Sequence, residues 1–114
     1  MQKVVINTDY GGFGLSPEAV ELLFQIKGWH LIRQDTDTGF THFYKDEISN
    51  DNYFMERDLE RNDLDLVKVV EKLGARANGH YSALKVVEIP RGVVWEIVEY
   101  DGMEHVAEKH RTWR

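Results

Sequence analysis

A glycine-rich turn between a short apolar run and a helix start is the feature that most constrains this chain. Glycines at positions 11, 12 and 14 remove the Cβ atoms that keep two backbones apart, and they permit positive φ. Ser16 followed by Pro17 predicts a helix start, because a hydroxyl cap precedes a residue whose missing N–H costs nothing at that position. The stretch is therefore predicted to run strand, turn, helix.

The turn has two interpretations. Free N–H groups that lead into a helix N-terminus attract anions, so the turn is a candidate phosphate site, with Tyr10 or Phe13 available to stack on a base. It lacks the GK[ST] ending of the phosphate-binding loop of nucleoside triphosphatases. Pro17 stands where the third glycine of a dinucleotide-binding fingerprint belongs. The other interpretation is a tight turn whose Phe13 and Leu15 fill the core. Both remain open.

Composition limits the class of protein. The length of 114 residues is typical of one domain, here predicted to span 1–114. A net charge of −6 without a visible basic face argues against duplex nucleic acid as a partner. No apolar run approaches the roughly 18 residues of a membrane span. The absence of cysteine fits a reducing compartment, so we expect a cytoplasmic protein that does not bind membranes.

Local patterns predict the first strand and two helices. Lys3 to Asn7 is apolar and β-branched, which is typical of a buried strand. Apolar residues recur at helical spacing from Pro17 to Lys27, where Gly28 is a suitable C′ residue. Asp63 is predicted to cap a second helix that ends at Gly74.

The middle of the chain is read as a loop and a loose hairpin. Residues 33–39 are polar and rich in turn formers, so we expect a loop there. Residues 40–44 and 53–55 are rich in aromatic side chains and are expected to pair as strands, joined by an exposed connection over 45–52.

The C-terminal third predicts strands at 84–89 and 93–100, followed by a hairpin. Asp101-Gly102 is typical of a type I′ turn, which needs positive φ at both central positions. A two-residue turn would pair Tyr100 with Met103 and place Glu99 opposite Glu104, a like-charge pair that needs solvent or a nearby cation. The sequence also pairs Val98 with His105, Ile97 with Val106 and Trp95 with Glu108 in this register.

Two points of this region stay open. We expect the cation for the glutamate pair to come from the tail, where Lys109, His110 and Arg111 lie close in sequence. Residues 104–110 could instead form a helix. With the hairpin, the predicted architecture is a single α+β domain in which two helices pack on a mostly antiparallel sheet of about five strands.

Recognisable catalytic and metal-binding patterns are missing from the sequence. The five histidines form no H-E-x-x-H motif, and there is no G-x-S-x-G nucleophile elbow. A carboxylate pair of the glycosidase type could be assembled only by assuming geometry that the sequence does not give. We therefore expect no catalytic residues, no metal and no cofactor, and a protein that is not an enzyme.

Cationic residues stand out in an acidic chain. Arginine suits bidentate contacts to phosphate or carboxylate, and Trp113 could stack on a ring. Arg61 could alternatively pair with Asp58 or Asp65, and the tail could be frayed. The predicted ligand-binding residues are Tyr10, Gly11, Gly12, Phe13, Gly14, Ser16, Arg61, His110, Arg111 and Trp113.

The chain also resembles a family of small proteins encoded by phages, prophages and other mobile elements of bacteria, to which no function is usually assigned. The resemblance is carried by VVINTDYGGFGLS, RNDLDLVKVVEKLG, ANG, LKVVEIP and VWEIVEYDGMEHVAEKHRTW, and residues 29–56 lie outside it. Leu64 departs from the family, in which proline is frequent as the first residue of this helix. The resemblance implies a bacterial host as the setting and a host component as the target.

Two functions of different class follow. The first is non-catalytic binding of a phosphate-bearing, nucleotide-like ligand at an interface of a homo-oligomer, which would sequester a host immune signal. The second is a protein-interaction module that modulates a host protein through an acidic surface; an enzyme acting on phosphoesters comes third. An oligomer whose interface pocket holds Tyr10, Gly12, Arg61 or Arg111 would favour the ligand. A monomer whose glycine turn is closed by its own core would favour the interaction module.

Overall fold

The computed structural model describes residues 1–109, which form two α-helices, six β-strands and three short 3₁₀ helices. The fold class is α+β, as predicted. The strands are β1 Gln2–Asn7, β2 Leu31–Asp35, β3 Thr41–Lys45, β4 Leu84–Ile89, β5 Trp95–Tyr100 and β6 Met103–Glu108. The α-helices are α1 Pro17–Lys27 and α2 Leu64–Leu73, and the 3₁₀ helices are Asn50–Asn52, Glu56–Asp58 and Gly74–Ala77.

The strands form three separate antiparallel pairs, β1 with β4, β2 with β3, and β5 with β6. The prediction of one sheet of about five strands was therefore wrong. The reason lies at the second edge of β1, where a further strand would have to bind. There Val5 N–H donates to the Arg61 carbonyl at 2.8 Å, and Asn7 N–H donates to a Glu104 carboxylate oxygen at 2.8 Å.

Strand β1 lies at the centre of the molecule and is buried on both faces. Val5 packs into the cluster formed with α1 and α2, whereas Val4 and Ile6 pack with Ile89 against the β5–β6 hairpin. Because successive side chains of a strand point to opposite faces, this uniformly apolar run supplies two cores at once. The β1–β4 pair is thus a middle layer between the helices and the hairpin.

Both helices begin and end at the predicted residues. The Ser16 hydroxyl accepts a hydrogen bond from Ala19 N–H, and Gly28 ends α1 in the left-handed conformation. Asp63 caps α2 by accepting from the N–H groups of Asp65 and Leu66, and Gly74 follows its last residue.

An ion cluster joins the C-terminal end of α1 to the N-terminal end of α2. The Lys27 ammonium lies 2.8 Å from Asp63 and 3.0 Å from Asp65. Partial burial opposes the charge of Lys27, but the hydrogen bonds that its ammonium donates to the two carboxylates outweigh burial and raise the pKa of Lys27. Burial likewise opposes ionisation of Asp63, but Lys27 and the helix N–H groups hold the pKa of Asp63 below its usual value.

The β2–β3 region differs from the prediction. Residues expected to open a loop at Arg33 instead continue strand β2 to Asp35, and β2 pairs with β3. A Thr36–Phe40 turn joins them, with Thr36 N–H donating to the Phe40 carbonyl. The expected hairpin with 53–55 is wrong, since only an isolated bridge joins Tyr53 to Tyr44. Exposed edge strands tolerate polar residues, which is why the polar run did not end the strand.

The C-terminal hairpin has the predicted register. Tyr100 pairs with Met103, Glu99 with Glu104, and Trp95 with Glu108. Asp101 and Gly102 have φ of 51° and 87°, as the type I′ turn requires. The alternative helix is wrong over residues 104–108, which form β6; residue 110 lies outside the described residues.

Candidate functional site

The glycine turn lies between two other loops of the chain, and its glycines permit the close approach. A Cβ placed on Gly11 would lie 2.1 Å from both the Cβ and the carbonyl oxygen of Tyr81. A Cβ on Gly102 would lie 2.2 Å from the carbonyl oxygen of Tyr10. The turn is therefore enclosed by the loop before β4 on one side and by the β5–β6 turn on the other.

Hydrogen bonds within the chain fix the far end of the turn. The Gly14 carbonyl accepts from Gly79 N–H at 3.2 Å and from the buried Ser82 hydroxyl at 2.7 Å. Ser16 N–H donates to the Ala77 carbonyl, and its hydroxyl donates to the Arg76 carbonyl at 2.6 Å while capping α1. Ser16 is thus engaged with its own chain, and this part of the turn matches the interpretation in which it is closed by its own core.

Asn7, which the sequence reasoning did not select, joins the three loops. This fully buried side chain donates from Nδ2 to the carbonyls of Asp9 and Gly102, at 2.7 and 2.8 Å. Its Oδ1 accepts from the N–H groups of Asp9 and Ala83. An asparagine directly after the apolar run Val4-Val5-Ile6 was the available signal, since a buried amide has to find partners for all its polar atoms.

Arg61 is engaged with Glu104 rather than with the partners predicted for it. Its Nη1 and Nη2 donate to the two oxygens of Glu104 at 2.6 and 2.9 Å, and neither Asp58 nor Asp65 takes that place. Glu104 is 8% exposed. Arg61 thus supplies a cation beside the glutamate pair; the tail residues His110 and Arg111, from which a cation had also been expected, lie outside the described residues.

Phe13 also belongs to this arrangement. The Arg61 guanidinium carbon lies 3.7 Å from the centre of the Phe13 ring, a cation–π geometry, and Phe13 packs partly buried against the helical core. Stacking on a ligand, which had been considered for Tyr10 or Phe13, is therefore open to Tyr10, which is 61% exposed.

Three exposed tyrosines surround the glycine turn, and we call them the tyrosine surface: Tyr10, Tyr81 and Tyr100. Tyr81 and Tyr100 are 68% and 79% exposed. Tyr10 belongs to the turn itself, Tyr81 lies against Gly11, and Tyr100 precedes the Asp101–Gly102 turn that contacts Tyr10. The structure brings the three together from segments far apart in sequence.

A groove with a volume of about 790 Å³ adjoins this surface and shares Tyr81 with it. We call it the aromatic groove. Its lining comes from the β2–β3 turn with β3, from residues 53–56, from residues 78–81 and from the start of α1. The lining residues are Leu15, Ser16, Pro17, Gly39, Phe40, Thr41, Phe43, Tyr53, Phe54, Glu56, Asn78, Gly79, His80 and Tyr81.

The remaining predicted site residues, His110, Arg111 and Trp113, lie outside the described residues. Within residues 1–109, no group of three or more histidine, aspartate or glutamate side chains is arranged to hold a metal ion. In the same range, neither α-helix is long and apolar enough to cross a membrane.

A scan against protein-family models finds no matching family for this chain, and searches of curated proteins and of solved structures find no match either.

Proposed function

We propose that this protein is a non-enzymatic protein-interaction module whose binding face is the tyrosine surface around the glycine turn. The observation that carries the proposal is the exposure of three tyrosines on segments held together by the close contacts at Gly11 and Gly102. Tyrosine is enriched in protein interfaces, because it offers a large rigid contact area and one polar group. Fixing three of them on tight turns lowers the entropic cost of binding.

Charge around this face indicates the chemistry of the partner. Asp9, Glu99 and Asp101 are exposed next to the tyrosines in sequence, and the chain as a whole carries a net charge of −6. An acidic face favours a partner with a basic surface, mainly through faster association at low salt. The sequence resemblance to mobile-element proteins directs the search for that partner to bacterial host proteins.

The internal engagement of Arg61 also supports a protein partner over the phosphate ligand first considered. A guanidinium paired with both oxygens of a buried carboxylate has little free charge to offer a phosphate. The glycine turn is enclosed by its own chain, which is one half of the condition that favours the interaction module; the other half, a monomeric state, is tested by the solution mass.

The test is binding of a purified partner, captured from bacterial lysate at low salt, to single variants of the tyrosine surface. Tyr10→Ala, Tyr81→Ala and Tyr100→Ala are each expected to weaken binding by about tenfold or more, as interface tyrosines do. Leu64→Ala is the matched control, because Leu64 is 76% exposed and opens α2 next to Asp63, whose ion pair with Lys27 places it at the C-terminal end of α1, away from the glycine turn that precedes α1. Equal affinity of all four variants would contradict the proposal.

A phosphate-bearing, nucleotide-like ligand remains the second candidate, and one observation favours it. The aromatic groove opens beside Ser16 and Pro17 at the start of α1, and its rings could stack on a base. A thermal-shift series with nucleotides, together with the solution mass, tests it. Stabilisation that rises with nucleotide concentration in an oligomer supports the ligand, and no shift at any concentration contradicts it.

A further inference from the structure

The aromatic groove is large enough for a side chain or a small ligand and is rich in rings. Its volume of about 790 Å³ falls within the usual range of about 300–1,000 Å³ for binding pockets. Phe40 and Tyr81, which come from two different lining segments, are 69% and 68% exposed. Phe43, Tyr53 and Phe54 complete the aromatic lining.

Two of these rings are held in place by their neighbours. The Tyr53 hydroxyl lies 3.0 Å from Nδ1 of His42, and its ring packs against Tyr44 at a centroid distance of 5.5 Å. Phe54 packs edge-on against Phe24, with ring centroids 5.2 Å apart. The inner wall of the groove is therefore formed in advance of any ligand, which reduces the cost of binding.

The charge of the groove favours a cation. Among its described lining residues, Glu56 carries the one full charge, and neither lysine nor arginine is present. The faces of aromatic rings are electronegative and attract ammonium or guanidinium groups. A carboxylate beside several rings is thus suited to a basic group.

The N-terminus of α1, which also lines the groove, could attract an anion instead of a cation, but few of its N–H groups are free. Pro17 has no N–H, Ala19 N–H donates to the Ser16 hydroxyl, and Val20 N–H donates to the Ser16 carbonyl. Glu18 already places a carboxylate in the first turn. Most of the N–H groups that would bind an anion at a helix N-terminus are therefore absent or engaged.

We infer that the aromatic groove binds an arginine or lysine side chain from a basic segment of the protein partner. The inference rests on the proposed interaction function and extends it, since Tyr81 belongs to both the groove and the tyrosine surface. The partner's basic side chain would lie against Phe40 and Tyr81 with its charge toward Glu56, while the tyrosine surface contacts the residues that flank it.

The test is a titration followed by NMR, using a blocked Gly-Gly-Arg-Gly-Gly peptide and the same peptide with citrulline in place of arginine. Citrulline keeps the shape and removes the charge. The arginine peptide is expected to perturb the signals of Phe40, Tyr53 and Tyr81 with a dissociation constant of about 1 mM. Glu56→Gln and Phe40→Ala should each weaken binding by about two- to fivefold, the size of an exposed cation–π or ionic contact.

Controls separate the possible outcomes. Glu47→Gln removes an exposed carboxylate outside the groove lining and should leave the affinity unchanged. Equal binding of the citrulline peptide, or no perturbation of the groove, would overturn the inference. Equal binding of free ethylguanidinium would show a site for small cations rather than for a peptide segment, and would also overturn it.

The inference and the proposed function can fail separately. If the arginine peptide binds the groove while the tyrosine variants bind the partner normally, the interaction proposal fails and the cation preference of the groove stands. If the tyrosine variants lose the partner and Glu56→Gln does not weaken it, the inference about the groove fails.

Discussion

Arg61 and Glu104 form a bidentate ion pair that closes the free edge of the central strand. The two terminal guanidinium nitrogens, Nη1 and Nη2, donate to Glu104, and one Glu104 oxygen also accepts from Asn7 N–H. The Arg61 carbonyl accepts from Val5 N–H. The two residues thus substitute for a neighbouring strand along β1. The pair explains both why the sheet is divided and why the arginine is not free for a ligand.

Removing one partner of this pair should destabilise the fold. Glu104→Ala leaves a largely buried guanidinium and the Asn7 N–H without their acceptor, so the free energy of unfolding should fall by about 3–5 kcal/mol. Urea denaturation measures the change. Glu99→Ala is the control, because Glu99 is the exposed partner of Glu104 across the hairpin and should change stability by about 0.5 kcal/mol or less.

Replacing the other partner of the ion pair, Arg61, distinguishes a structural arginine from a ligand-binding one. Arg61→Ala should lower stability to a similar extent, and the double variant with Glu104→Ala should lose less than the sum of the two. An Arg61→Ala protein that is fully stable and has lost only nucleotide binding would show that the arginine belongs to a ligand site.

The close contact at Gly11 makes a second prediction about stability. Gly11→Ala should lower the free energy of unfolding by about 1–3 kcal/mol, because its Cβ would overlap Tyr81 and force the two loops apart. Gly14→Ala is the matched control in the same turn, since a Cβ there meets no atom within 4 Å. Equal thermal stability of the two variants would mean that the turn is not packed against residue 81.

The ion cluster between the helices predicts a loss of stability in acid. The folded-state pKa of Asp63 lies below its unfolded value, so its contribution is present above about pH 3.9 and is lost as pH falls through the folded pKa. Asp63→Asn keeps a capping side chain and removes the charge. Its melting temperature should fall less than that of the wild type between pH 5 and 2. If the melting temperatures of the two proteins fall in parallel, the charge of Asp63 does not cause the loss.

The same cluster also predicts a loss of stability in alkali, where stability falls as pH rises rather than as pH falls. The pKa of Lys27 is raised on folding, so its contribution is complete below about pH 10.4 and is lost as pH rises through the folded value. Lys27→Met should flatten the decline in stability above that pH. Hydrogen exchange or thermal melts across this range measure it, and an unchanged decline would assign the alkaline loss to other groups.

Features fixed by local sequence were predictable. The Ser16 and Asp63 caps, the Gly28 and Gly74 helix ends and the Asp101-Gly102 turn all depend on conformational preferences within a few residues. The hairpin register followed from the turn alone. The pairing of Glu99 with Glu104 also indicated that the two carboxylates need solvent or a nearby cation.

Contacts between distant segments were not predictable in the same way. Arg61 and Glu104 are 43 residues apart, and nothing in either local pattern names the other. The polar residues 33–35 were predicted as a loop because strands are recognised by an alternation of apolar and polar residues, which arises from burial of one face. These residues are exposed in β2, so the alternation is absent. The tyrosine surface likewise depends on the packing of Gly11 against Tyr81, which required the fold.

We propose that the face around the glycine turn binds a protein partner. The proposal is tested most directly by placing a photo-crosslinking residue at Tyr81 and, in a second protein, at the exposed Leu64, the first residue of α2, whose cap Asp63 is ion-paired to Lys27 at the C-terminal end of α1. With the purified partner, position 81 is expected to give a crosslink that salt reduces and that Tyr10→Ala suppresses, whereas position 64 gives none. Crosslinking from position 64 but not from position 81 would contradict the claim.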